Sequence, residues 1–96
     1  MIKLVRDKIP EITGRDDYFY LPDVDVVYEL FLYEKLTEES EELFKSNCSL
    51  EELADVYEVL ETIRALKGYS TEDVRNAMTA KNESRGSFTR RIIMKF

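Results

Sequence analysis

Ninety-six residues, 44% hydrophobic and 35% charged, suffice for one folded domain with a modest core. The net charge of −6 argues against a broad face for a nucleic acid polymer, and the lack of histidine excludes His-based triads, His-ligated zinc and imidazole acid–base chemistry. Cys48 is the only cysteine, which excludes an intrachain disulfide.

Residues 1–7 lack the apolar core of a signal peptide, and no apolar run approaches the length of a bilayer span. A cytoplasmic protein without membrane contact is the expectation. Residues 6–13 read as a short basic, amphipathic segment interrupted by Pro10, with Arg6, Asp7 and Lys8 as an exposed charged cluster. Residues 14–22 read as a connector. Its aromatics Tyr18, Phe19 and Tyr20 suit either base stacking or the covering of a core or subunit seam. Asp23 is placed to cap a long helix over residues 24–45, with an apolar stripe of Val24, Val27, Tyr28, Phe31, Leu32, Leu36 and Leu43. Ser46, Asn47 and Cys48 make a turn. Ser49-Leu50-Glu51-Glu52 fits a capping box at the start of a second helix, which carries Leu50, Leu53, Val56, Tyr57, Leu60 and Ile63 and stops at Gly68. Ser70-Thr71-Glu72-Asp73 caps a third helix from Thr71 to Asn82 or Ser84, broken by Gly86. The basic tail contains the β-prone run Arg91-Ile92-Ile93-Met94, which suits a short strand or hairpin.

The short turn predicts that the two long helices are antiparallel neighbours in an all-α bundle. Glu39 and Glu42 on the first, and Glu52 and Asp55 on the second, are each spaced i, i+3, so each pair shares a helix face with apolar residues. In an antiparallel pair they meet across the seam at the turn end. Carboxylates are costly to bury unless paired or metal-bound. Four of them converging from two helices suit one or two hard divalent cations such as Mg²⁺, with Mn²⁺ as a substitute. An acidic, solvated helix face, with Glu52 serving only the capping box, has the same spacing.

Lys81 and Arg85 lie one helical turn apart, which suits a phosphate clamp and suits equally a pair of cations at a helix C-terminus. Lys35 shares a stripe with Glu39 and can pair with it or reach a phosphate. Asn82 can bond a base or sugar, or cap its helix. The apolar surface of the first long helix is wider than one seam, which predicts a bundle completed by homodimerisation.

Four elements in order resemble a known family. Lys3-Leu4-Val5-Arg6-Asp7-Lys8-Ile9-Pro10 resembles the N-terminal signature of small MazG-like, phosphoribosyl-ATP pyrophosphohydrolase-like proteins. Glu38-Glu39-Ser40-Glu41-Glu42 is similar to the EExxE motif of the all-α nucleoside triphosphate pyrophosphohydrolases, and Glu52-Leu53-Ala54-Asp55 to their ExxD motif. Lys81 and Arg85-Gly86-Ser87-Phe88 resemble the Lys and Arg-Gly-x-Phe segment that follows. The interval between Glu42 and Glu52 is shorter than in larger members. The resemblance implies one all-α domain over 1–96, a homodimer or homotetramer, and Mg²⁺-dependent cleavage of a nucleoside triphosphate to monophosphate and pyrophosphate. It implies metal ligands at Glu39, Glu42, Glu52 and Asp55. Glu38 and Glu39 would be the catalytic acids, with Glu38 a candidate to position or deprotonate the attacking water. Phosphate contacts would come from Lys81 and Arg85, Arg6 would serve phosphate binding or a subunit contact, and Lys35 is a further substrate-binding candidate from its place on the stripe. Two rival readings are hydrolysis of phosphoribosyl-ATP and a catalytically silent helical dimerisation or nucleotide-binding module.

Overall fold

Pro10 sits in the first turn of α1 (Ile9–Thr13), where a missing N–H breaks no helical bond. The proline therefore starts this helix rather than interrupting it. The computed structural model describes all residues, Met1–Phe96. Three longer helices follow: α2 (Asp25–Lys45), α3 (Leu50–Leu66) and α4 (Thr71–Arg85). Val24, in extended backbone, is the N-cap of α2, and no side chain caps that end. Asp23 stands one residue too early, because a capping oxygen reaches the free N–H groups only from the N-cap position. Asp25 in the first turn complements the helix dipole instead.

The turn between α2 and α3 satisfies its own backbone. Cys48 N–H donates to Leu43 O (2.9 Å) and Asn47 N–H to Phe44 O (3.1 Å), the paired bonds of a Schellman ending. That ending needs a left-handed residue. Asn47 supplies it at φ 58°, and asparagine tolerates this region better than most side chains. Ser46 Oγ then accepts the Ser49 N–H at 3.1 Å, and Ser49 Oγ accepts the Glu52 N–H at 3.2 Å, capping α3. Only this half of the expected capping box forms at Ser49. α3 ends in a second Schellman pair, with Tyr69 N–H on Arg64 O (3.2 Å) and Gly68 N–H on Ala65 O (3.1 Å), and Gly68 takes the left-handed position at φ 78°.

With so tight a connection, α2 and α3 run antiparallel, and theirs is the one extensive helix–helix packing in the chain. At the open end Lys67 Nζ lies 3.3 Å from Glu29 Oε2, and Tyr33 Oη donates to the same carboxylate. Along the seam Leu32 is 2% exposed and Val59 8%, the only buried residues of the chain. Val27, Tyr28, Phe31, Leu36 and Leu43, all of the expected stripe, are half-buried, whereas Val24 is exposed.

Outside this hairpin little is covered. Every residue of α4 is exposed. The chain exposes 8863 Å², against about 5700 Å² for a compact monomer of 11.3 kDa. Its radius of gyration is 16.8 Å, against roughly 12–13 Å for a compact domain of this length. Val26, Leu30 and Tyr33 form a second apolar stripe on α2, at i, i+4 and i+7, and remain 62%, 59% and 45% exposed. The tail beyond α4 holds no strand. Arg91 takes a left-handed conformation (φ 59°) that breaks the β-prone run, and no other strand exists to pair with it. No helix is long and apolar enough to cross a membrane.

Helix α4 depends on its own ends. Ser70 Oγ accepts the Asp73 N–H (2.9 Å), and the Asp73 carboxylate accepts the Ser70 N–H (2.8 Å), a complete capping box. Hydrogen bonding from the Ser70 backbone holds the Asp73 carboxyl below its ordinary 3.8. The stabilisation this carries is complete above the unfolded value and is lost as pH falls through the lowered folded one. A helix of this length is marginal without packing. Ser70→Ala should therefore cost about 1 kcal/mol, read as roughly fivefold faster amide exchange in α4 with α3 unaffected. Acidification through the Asp73 titration should fray the same first turn.

Candidate metal centre

The turn at 46–49 sets the last turns of α2 beside the first turn of α3, so the two acidic motifs share one end of the hairpin. Glu39, Glu52 and Asp55 each place a carboxylate oxygen within 4.8 Å of the other two. Around Mg²⁺, with oxygens about 2.1 Å from the ion, opposite ligands sit roughly 4.2 Å apart and adjacent ones about 3.0 Å. Small side-chain rotations close that difference. The donors are all carboxylate oxygens, which suits a hard divalent cation. The set fits Mg²⁺.

Glu39 is the innermost of the three. Its side chain is 12% exposed and its Oε1 lies 3.3 Å from Lys35 Nζ, itself 16% exposed. Lys35 therefore pairs with Glu39 as spaced, and also approaches Glu38 Oε2 at 3.5 Å. Asp55 accepts a 2.7 Å hydrogen bond from the Arg6 guanidinium. Glu38, next to the triad, accepts one of 2.7 Å from Lys3 Nζ. Glu52 alone in this cluster has no cation within 4.0 Å. Partial burial, and then the charges of Asp55, Glu39 and Glu42, push its carboxyl above the ordinary 4.5. Glu38 shifts the other way: the Lys3 hydrogen bond, with Lys35 nearby, holds it below 4.5.

The fourth expected ligand stands apart. Glu42 raises Glu52 by its charge, but its side chain is 48% exposed, pairs with Lys45 at 3.9 Å, and lies at the rim of the triad. Lys81 and Arg85 lie on the fully exposed α4 and pair with no carboxylate. The chain folds without bringing them to the acids. Tyr18 and Tyr20 pack edge to face, 6.0 Å between centroids, in an exposed connector, and Cys48 is free and exposed. Lys3 is a residue of this cluster that helical spacing alone does not mark. Its signal is the interval to Arg6: three residues outside any helix reach up to about 10 Å, the distance between the axes of two packed helices.

The opposite shifts order the titrations. Glu52 has a folded value above its unfolded one, so acidifying the metal-free protein through that value stabilises the fold. Glu38 has a lowered folded value, so its stabilisation is present above 4.5 and is lost as pH falls through that lower value. Side-chain carboxyl NMR on metal-free protein should show Glu52 taking its proton at higher pH than Glu38. The reverse order would mean that the two carboxylates do not have these neighbours.

No protein-family model, curated protein or solved structure matches this chain.

Proposed function

We propose that the chain is a MazG-like nucleoside triphosphate pyrophosphohydrolase, dependent on Mg²⁺ or Mn²⁺, that releases nucleoside monophosphate and pyrophosphate. The observation that carries this reading is the meeting of Glu39, Glu52 and Asp55 from two motifs that are ten residues and more apart in sequence. Glu39, Glu52 and Asp55 would hold the ion, with Glu42 able to join from the rim. The bound ion supplies neutralisation of phosphate charge and acidification of water.

The other groups act on substrate and water. Glu38, held ionised by Lys3 and Lys35, accepts hydrogen bonds and binds a proton weakly. That suits it to orienting the attacking water more than to removing its proton. Lys35 sits between Glu38 and Glu39 as a fixed, shielded cation and can meet a phosphate oxygen there. Water adds to the α-phosphorus and gives up a proton to bulk water, the bond from that phosphorus to the oxygen bridging the β-phosphate breaks, and pyrophosphate leaves with the bonding electron pair.

The oligomer belongs to the same reading. The exposed area exceeds that of a compact monomer by roughly 3000 Å² per chain, or about 6000 Å² over two copies, at the upper end of what permanent interfaces bury in total. The stripe of Val26, Leu30 and Tyr33 supports a second copy as the cover, in a homodimer or a pair of dimers. In such an assembly α4 can carry Lys81 and Arg85 toward a neighbouring acidic cluster.

A panel of nucleoside triphosphates assayed with and without Mg²⁺ tests the activity. Glu39→Gln or Asp55→Asn should lower pyrophosphate release by roughly 100-fold or more while helical circular dichroism holds, since several kcal/mol of charge stabilisation goes with the ion. Wild-type rates in both variants would remove the metal site from the mechanism. Pyrophosphate from phosphoribosyl-ATP alone would favour that narrower substrate. For the assembly, sedimentation at micromolar concentration should give a dimer or larger species, and a clean monomer would overturn it.

A further inference from the structure

Residues 1–5 make no backbone hydrogen bond to the rest of the chain. The segment that leads into α1 is nevertheless laid across the closed end of the hairpin, held by half-buried Leu4 and by two ion pairs of 2.7 Å: Lys3 to Glu38 on α2 and Arg6 to Asp55 on α3. The two cations bridge the helices on the face where the carboxylates crowd. Both remain open to solvent, at 51% and 55% exposed, while Lys35 on α2 is shielded.

We propose that this segment is a detachable counter-charge strap, in which Arg6 and Lys3 occupy the acidic cluster until a divalent cation displaces Arg6 from Asp55. The inference rests on the metal reading of Glu39, Glu52 and Asp55. A carboxylate oxygen that holds a small divalent ion presents less charge to a guanidinium, and the like charges of ion and Arg6 repel. Exposed ion pairs are weak enough to exchange. The shielded pair of Lys35 with Glu39 lacks that freedom and stays as a permanent counter-ion. Once released, the strap presents a forked cation beside the ion, where a phosphate chain would lie.

The test uses full-length protein, Mg²⁺ alone and low ionic strength, without nucleotide. Calorimetric titration compares wild type with Arg6→Gln and, as a second variant, Lys3→Gln. NMR follows the backbone order parameters of residues 3–6. Removing a competing exposed ion pair should tighten Mg²⁺ binding by about three- to fivefold in Arg6→Gln. Saturating Mg²⁺ should lower the order parameters of residues 3–6 in wild type, to below about 0.6. Weaker or unchanged Mg²⁺ affinity in both variants, or a strap as rigid with the ion as without it, overturns the strap and leaves the metal site standing. Absence of Mg²⁺ binding in wild type and variants alike overturns both.

Discussion

Five carboxylates at the closed end of a helical hairpin repel one another, and the surrounding structure is arranged around that repulsion. The turn at 46–49 leaves the end of α2 and the start of α3 no room to separate, so Glu38, Glu39, Glu42, Glu52 and Asp55 share one small region. Each of four of them has recruited a cation: Lys3 and Lys35 for Glu38, Lys35 for Glu39, Lys45 for Glu42 and Arg6 for Asp55. Glu52 has none, and partial burial, followed by the charges of Asp55, Glu39 and Glu42, raises its carboxyl above the ordinary value. A fold selected only for stability would relieve such a cluster by neutral substitution. The meeting of Glu39, Glu52 and Asp55, with Glu52 lacking a cation, is the physical ground for the proposal of a positive ligand here.

The same arrangement explains the route of the N-terminal segment. It has no helical structure before α1 and no backbone bonds over residues 1–5, so its position is set by charge and by Leu4. Its cations come from outside the hairpin and are solvent-exposed, whereas Lys35 is built into α2 and shielded. Permanent and exchangeable counter-charge are thereby separated: one belongs to the scaffold, the other to a strap.

The hairpin is also the only part of the chain with an interior. Leu32 and Val59 alone are buried, so the two-helix seam removes little apolar surface from water. Stripes such as Val26, Leu30 and Tyr33, and the bare faces of α4, have the amphipathic pattern of helices that pack, without packing against this chain. The acidic cluster and the exposed apolar stripe thus use different faces of α2.

Much of the local structure was legible in the sequence because it depends on neighbours along the chain. The ends of α2, α3 and α4 follow from Asn47, Ser49, Gly68 and the Ser70–Asp73 box, each of which acts through bonds within a few residues. The antiparallel hairpin and the meeting of Glu39 with Glu52 and Asp55 follow from turn length and the helical repeat. Local signals compete at two places: Asp23 stands one residue before the N-cap, and Ile92 and Ile93 favour a strand that has no partner. Tertiary structure alone decided the rest. Which carboxylate stays at the rim, which one lacks a cation, and that Lys3 and Arg6 reach across to Glu38 and Asp55 depend on side chains 35 and 49 residues apart in sequence. Helical periodicity carries no information at that separation. Charge on an irregular segment is placed by the field of the folded helices, and that field exists only once α2 and α3 have paired.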